Sequence, residues 1–143
     1  MWGALIGKRL WAMLPFRNPL ATGDRGERAA ARYLVGEQQF RILAHNWRNP
    51  RNRREEIDLI CRDGEVLVFV EVKTRTSGEV LEGYYAVNAS KRRILRSAGQ
   101  AYLKRYAPAD RALSYRLDVV VVCLTPEGKV GEIAHFRNLP LFS

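Results

Sequence analysis

Val66-Leu67-Val68-Phe69-Val70 is apolar at both parities of an extended chain, and so is Val119-Val120-Val121-Val122. Such runs predict strands buried on both faces of a sheet. The second run lies in a strand read as Tyr115 to Leu124, the first in one read as Val66 to Lys73. Asp63-Gly64 between the apolar run Glu56–Cys61 and the run from Val66 predicts a tight hairpin. A first strand is read over Phe40 to Trp47 and a last one over Lys129 to Phe136, after a turn at Pro126–Gly128. Two segments switch to helical period. In Arg25 to Val35 the apolar face is Ala30, Ala31 and Leu34, with Asp24 and Glu27 spaced as a capping box and Gly36 as the stop. In Asn88 to Tyr106 the stripe is Ile94, Leu95, Ala98, Ala101 and Tyr102, closed by Pro108. Asn49 to Arg54 reads as a polar, arginine-rich loop, and Thr74 to Val87 as loop or short irregular helix. Helix, three strands, helix, two strands predicts an α/β domain whose mixed sheet is covered on both faces.

The hairpin carries the candidate chemistry. Centring it on Asp63-Gly64 places Asp58 opposite Phe69, and the period-two alternation then puts Asp58, Phe69, Glu71 and Lys73 on one face. Glu71 becomes the diagonal neighbour of Asp58, roughly 7–8 Å away. Two carboxylates so spaced can share a divalent cation, with magnesium–oxygen distances of about 2.0–2.1 Å. Lys73 stands one repeat further along. Two acids and a lysine at the end of an apolar strand point to metal-assisted phosphodiester chemistry. The plainer alternative is a same-face ion pair of Glu71 with Lys73 where the strand leaves the core. Against it stands the apolar setting of both strands, since charged groups at the edge of a buried sheet need partners or a metal. Glu27 shares the inward face of its helix with Ala30, Ala31 and Leu34, which aims a carboxylate inward; a local capping role is its other reading.

With 143 residues the chain fits one domain. Its 24 basic against 15 acidic residues change the picture more than its 47% hydrophobic content does. Arg41 to Arg54 holds five arginines and no acid, and Lys91 to Arg105 holds six basic residues and no acid. Outside those two segments, 13 basic residues face 15 acidic ones, so the whole excess of +9 comes from them. Concentrated positive charge is the footprint expected for a polyanion such as nucleic acid. Cys61 and Cys123 lie far apart without zinc-ligand spacing, and read as buried thiols in a reducing compartment, consistent with a cytoplasmic protein. His45 and His135 are isolated and read as structural or surface residues. Pro15, Pro19 and Thr22-Gly23-Asp24 separate an extension, residues 1–22, from a domain over 23–143. Trp2, Leu5, Ile6, Leu10, Met13 and Leu14 form a candidate amphipathic stripe there, open to docking on the domain, a protein partner or a membrane surface. It is a poor signal peptide, and no stretch reaches the roughly twenty apolar residues of a membrane span.

Gly26-Glu27-x-x-Ala30, Glu56-Ile57-Asp58-Leu59-Ile60, Val68-Phe69-Val70-Glu71-Val72-Lys73-Thr74-Arg75, Lys91, Arg116-x-Asp118-Val119-Val120 and His135-Phe136-Arg137-Asn138 resemble the YraN family of small bacterial proteins. The resemblance runs from about Gly23 to the C-terminus. It implies membership of the restriction-endonuclease-like superfamily, with a PD-(D/E)xK nuclease motif similar to that of archaeal Holliday-junction resolvases, and a three-layer α/β/α fold. It implies Asp58, Glu71 and Lys73 as the motif's acids and lysine, Glu27 as the helix-borne acid, and Mg²⁺ or Mn²⁺ held by Asp58, Glu71 and the carbonyl of Val72. Ile57 stands in place of the motif's proline, Glu55 where the family usually has glycine, and Leu117 where it usually has phenylalanine. The expected activity is phosphodiester hydrolysis in branched or structured DNA, in repair or recombination. Arg75, Lys91, Arg92, Arg93 and Arg96 are the expected phosphate contacts. The competing expectation is a non-catalytic nucleic-acid-binding module or adaptor on the same fold, and assembly as a homodimer is open.

Overall fold

Each apolar run becomes a central strand of one five-stranded sheet. The computed structural model describes residues 22–76, 80–107 and 114–140, with side chains from Arg25 onward; the expected stripe in Met1 to Phe16 lies outside them. Along the chain these residues form α1 (Thr22–Gly36), β1 (Arg41–Asn49), β2 (Asn52–Asp63), β3 (Val66–Arg75), α2 (Val80–Tyr85), α3 (Ala89–Tyr106), β4 (Tyr115–Leu124) and β5 (Val130–Phe136). The sheet order is β1-β2-β3-β4-β5. All neighbours are antiparallel except β3 and β4. That parallel pair needs a long crossover, which α2 and α3 supply. The fold is α/β and consistent with a restriction-endonuclease-like architecture.

Alternation along the central strands sorts the core into two halves. Leu59, Val68, Val70, Val120 and Val122 pack under Ala30, Ala31 and Leu34 of α1. Ile60, Phe69, Leu117, Val119 and Val121 pack under Leu95 and Ala98 of α3. Both helices carry a small-residue face because strand and helix approach closely; a Cβ on Gly99 would meet the Phe69 ring at 2.9 Å.

Several boundaries differ from the sequence reading. The β2–β3 hairpin pairs Asp63 with Val66 and Leu59 with Val70, so its two-residue loop is Gly64-Glu65, with Gly64 at φ +60°. The centre lies one residue later than Asp63-Gly64, and the pairing moves by two. Faces survive such a shift, because side chains repeat every second residue. Asp58 opposite Phe69 is therefore corrected: continuing the register places Asp58 across from Glu71. Arginines expected in a loop at Asn49 to Arg54 mostly belong to β2. Only Pro50-Arg51 turns, and Asn49 accepts the Arg51 N–H through Oδ1 at 3.1 Å, a side-chain bond that replaces a longer loop. Helix α1 begins at Thr22, so Asp24 lies in its first turn and not at a cap. Asn88 caps α3 as its composition suggests, accepting from the Lys91 N–H at 3.0 Å.

At Asp58 the sheet forks. Pairing between β2 and β3 ends at Leu59–Val70, while β2 stays paired with β1 out to Asn52–Asn49. Alternation slips there as well: Ile57 and Ile60 both join the α3-side core, whereas Leu59 faces α1. Asp58 stands at the break.

Candidate active site

The fork leaves the Val72 N–H without a backbone acceptor on β2, and the Asp58 side chain takes it, Oδ2 accepting at 2.8 Å. One residue earlier on β3, Glu71 points to the α3 side and is 3% exposed. Its Oε1 meets Lys73 Nζ at 3.3 Å and Lys91 Nζ at 3.5 Å, the latter from the first turn of α3. Its Oε2 is buried without a hydrogen-bond partner among the described residues. Helix α1 closes the third side. A Cβ on Gly26 would lie 1.8 Å from Thr74 Oγ1, so only glycine lets α1 start this close to the end of β3. Glu27 follows directly, and its charge reaches Asp58.

Asp58 is held well above the usual aspartate range by desolvation first and by the Glu71 carboxylate second. The Val72 N–H opposes this, Glu27 adds to it, and Lys91 offsets part. Three acids on three elements thus bear on one point, and their mutual repulsion is only partly relieved by two lysines. Of the sequence-predicted residues, Lys73 contacts Glu71, Asp58 bonds the neighbouring Val72 N–H, and Glu27 lies near enough for its charge to reach Asp58. Lys91, expected among the phosphate contacts, also meets Glu71.

The other expected phosphate contacts differ in their settings. Arg92 turns to the C-terminal segment, donating to the Pro140 carbonyl at 3.5 Å. Arg75 donates to the neighbouring Thr74 carbonyl at 3.2 Å. Arg93 is exposed and Arg96 partly buried. Glu55, the departure from family pattern, faces away from the acids: its Oε1 accepts from Asn49 Nδ2 at 2.7 Å and Ser97 Oγ at 3.0 Å.

A divalent cation suits what the site lacks. The orphaned Oε2 of Glu71 and an Asp58 carboxyl pushed toward its proton are both states that positive charge would relieve. Asp58, Glu71 and the Val72 carbonyl are all-oxygen donors of the kind hard cations take. No trio of His, Cys, Asp or Glu side chains among the described residues is already gathered at ligand spacing, so Glu27 would have to reach in or act through water.

A second polar cluster escaped the sequence reading. Asp118 on β4 is fully buried on the α1 side. It accepts from Arg116 Nε at 2.9 Å and the Asn138 N–H at 3.0 Å, and lies 2.8 Å from His135 Nε2. Burial alone would raise Asp118, but the bonds from His135, Arg116 and Asn138 hold it below the ordinary value. Arg116 also pairs with Asp63 at 3.0 Å, and both Arg116 and Arg137 lie over the Phe40 ring at 5.5 Å. The Arg116-x-Asp118 spacing was the available signal, since it places both on one face; the partner strand was not.

Residues 26–122 match the model of the uncharacterised protein family UPF0102. The chain belongs to the UPF0102 family. This is the YraN family to which its motifs pointed, and the nuclease-like superfamily fits it. A UPF0102 protein of Porphyromonas gingivalis is 38% identical over 116 residues, 81% of either chain. One from Pelotomaculum thermopropionicum is 40% identical over 116 residues, 81% of this chain and 92% of its own. A third, from Anaeromyxobacter dehalogenans, is 45% identical over 102 residues, 71% and 72% of the two chains. The span matched to UPF0102 contains the fork, all three acids, Lys73 and Lys91, and ends before His135.

Proposed function

We propose that this chain is a metal-dependent nuclease hydrolysing phosphodiester bonds, with branched or structured DNA as its foremost substrate class. The observation that supports it most is the buried Oε2 of Glu71, without a hydrogen-bond partner among the described residues, beside a carboxyl that its surroundings drive toward protonation. A structural ion pair has no use for that oxygen. Asp58, Glu71 and the Val72 carbonyl would hold Mg²⁺ or Mn²⁺, with Glu27 as an added donor. When bound, such a cation polarises the phosphate and acidifies an attacking water. Asp58 keeps its orientation through the Val72 N–H. Lys73, which can only donate, stabilises negative charge gathering on the phosphate oxygens. Lys91 would do the same from α3.

The second reading is a nucleic-acid-binding module, favoured by the two lysines on Glu71 Oε1, which offset its charge without a metal. Purified protein incubated with branched, duplex and single-stranded DNA and with RNA, in Mg²⁺ or Mn²⁺, separates the two. Cleavage lost in Glu71→Gln with binding retained supports the nuclease. Tight binding with no cleavage of any substrate would leave the module.

A further inference from the structure

The fold brings the two acid-free basic segments against each other. The β1–β2 turn and the C-terminal half of α3 enclose an open groove of about 330 Å³, lined among others by Asn49, Arg51, Ser97, Gln100, Lys104 and Arg105. No acid is among its lining residues. Its walls are tied together beneath the opening, where Glu55 accepts from Asn49 on one side and Ser97 on the other. Asn49 in turn fixes the turn that presents Arg51. Arg51, Ser97, Gln100, Lys104 and Arg105 are exposed.

On α3, Arg93, Ser97, Gln100 and Lys104 fall at i, i+4, i+7 and i+11, a single exposed stripe. It begins two residues after Lys91, which touches Glu71, and ends in the groove. At 1.5 Å per residue the stripe is about 17 Å long, the axial length of about five base pairs. Arginine, lysine and amide or hydroxyl side chains are the usual donors to phosphate oxygens, and this groove offers those types and no others that are charged.

We propose that the groove between Arg51 and Lys104–Arg105 is a second phosphate-binding subsite, gripping the nucleic-acid backbone about five base pairs from the carboxylate site. It rests on the nucleic-acid part of the function proposed above and sets a substrate length. A substrate must extend along α3 on one side of the bond at Glu71 to engage both points.

The test is equilibrium binding of labelled duplexes shorter and longer than this span, by fluorescence anisotropy in EDTA, across a salt series. Arg51→Glu/Lys104→Glu/Arg105→Glu should bind long duplexes more weakly. Its slope of log affinity against log salt should be shallower than wild type by about 2.7, three contacts at about 0.9 each. Affinity in the variant should no longer rise with duplex length past the span. Arg51→Gln/Lys104→Gln/Arg105→Gln provides the same reading should charge reversal unfold the chain, with thermal melting as the control. Unchanged affinity and slope in a folded variant overturn the subsite. Wild type that binds no nucleic acid overturns both proposals, whereas groove-dependent binding without cleavage overturns only the nuclease. Displacement of the duplex by polyglutamate at equal charge would give the groove to an acidic protein and overturn it too.

Discussion

Asp58 and Asp118 stand on different strands of the same sheet; burial pushes both carboxyls up, and they are bonded differently. Asp58 has one N–H and two carboxylate neighbours, so the folded chain holds its proton more tightly than the unfolded chain does. Its contribution to stability therefore falls as pH rises above the ordinary aspartate value of about 3.9 toward its own raised value. Asp118, depressed by His135 and Arg116, contributes the opposite way: its share is present above the ordinary value and lost as pH falls through its lowered one. Asp58→Asn is expected to raise the metal-free melting temperature at neutral pH and flatten the decline on the alkaline side, read by calorimetry from pH 4 to 8. Asp118→Ala should cost about 3 kcal/mol or more in urea unfolding, because it strands the buried His135 side chain and the Asn138 N–H and removes one of the two carboxylates that hold Arg116. On the proposed function, Mn²⁺ binding should expel protons, seen as a titration heat that depends on buffer ionisation enthalpy. Equal heats in all buffers would count against Asp58 as a ligand. Glu71 and Lys73 were legible as neighbours because period two needs only their own strand, whereas Asp58 meets β3 at a break in the alternation of β2. Asp118 with His135 was not, because the pairing of β4 with β5 decides that contact and no local pattern states it.

Among the elements, α1 shows how a helix start places a charge. Gly26 lets it press on Thr74, and Glu27 is delivered to the acids by that contact. Gly26→Ala would meet Thr74 Oγ1 with the Thr74 Cβ at 3.0 Å behind it, so rotating the threonine brings little relief. A loss of about 1–3 kcal/mol is expected, together with weaker metal binding as Glu27 retreats. Gly36→Ala, with nothing within 4 Å of the added atom, should be neutral or stabilising by up to about 1 kcal/mol. Denaturant curves for the pair separate close packing from helix propensity; equal effects would remove the Thr74 contact as the cause. The apolar runs made β3 and β4 legible almost to the residue. The N-terminal half of β2 was not, because Arg53 and Arg54 look like loop and become strand only through pairing with β1. The hairpin centre was misplaced by one residue, an even change in register that keeps parity as far as Leu59; beyond it the alternation of β2 slips, and no local pattern announces that.

For the whole molecule, charge is laid out by the crossover that makes β3 and β4 parallel: it sets the basic length of α3 beside the acids at the end of β3. Binding of DNA is expected to weaken steeply with salt and to vary little with sequence. Glu71→Gln should leave affinity equal or higher in anisotropy titrations, since it removes negative charge facing phosphate; a marked loss would mean the acid supports the binding surface instead. No described helix is long and apolar enough to cross a membrane. The fork has a mechanical side. Between Asn52 and Ile57, β2 pairs in the sheet with β1 alone among the described residues, and Glu55 braces the ribbon on Ser97 of α3, so the β1–β2 ribbon is rooted at Asp58 with Arg51 at its tip. Amide hydrogens there should exchange faster than those of β3, and a load gripped at the tip is transmitted to the root. A duplex long enough to engage Arg51 should therefore slow exchange at Asp58 and Val72 as well as at the turn.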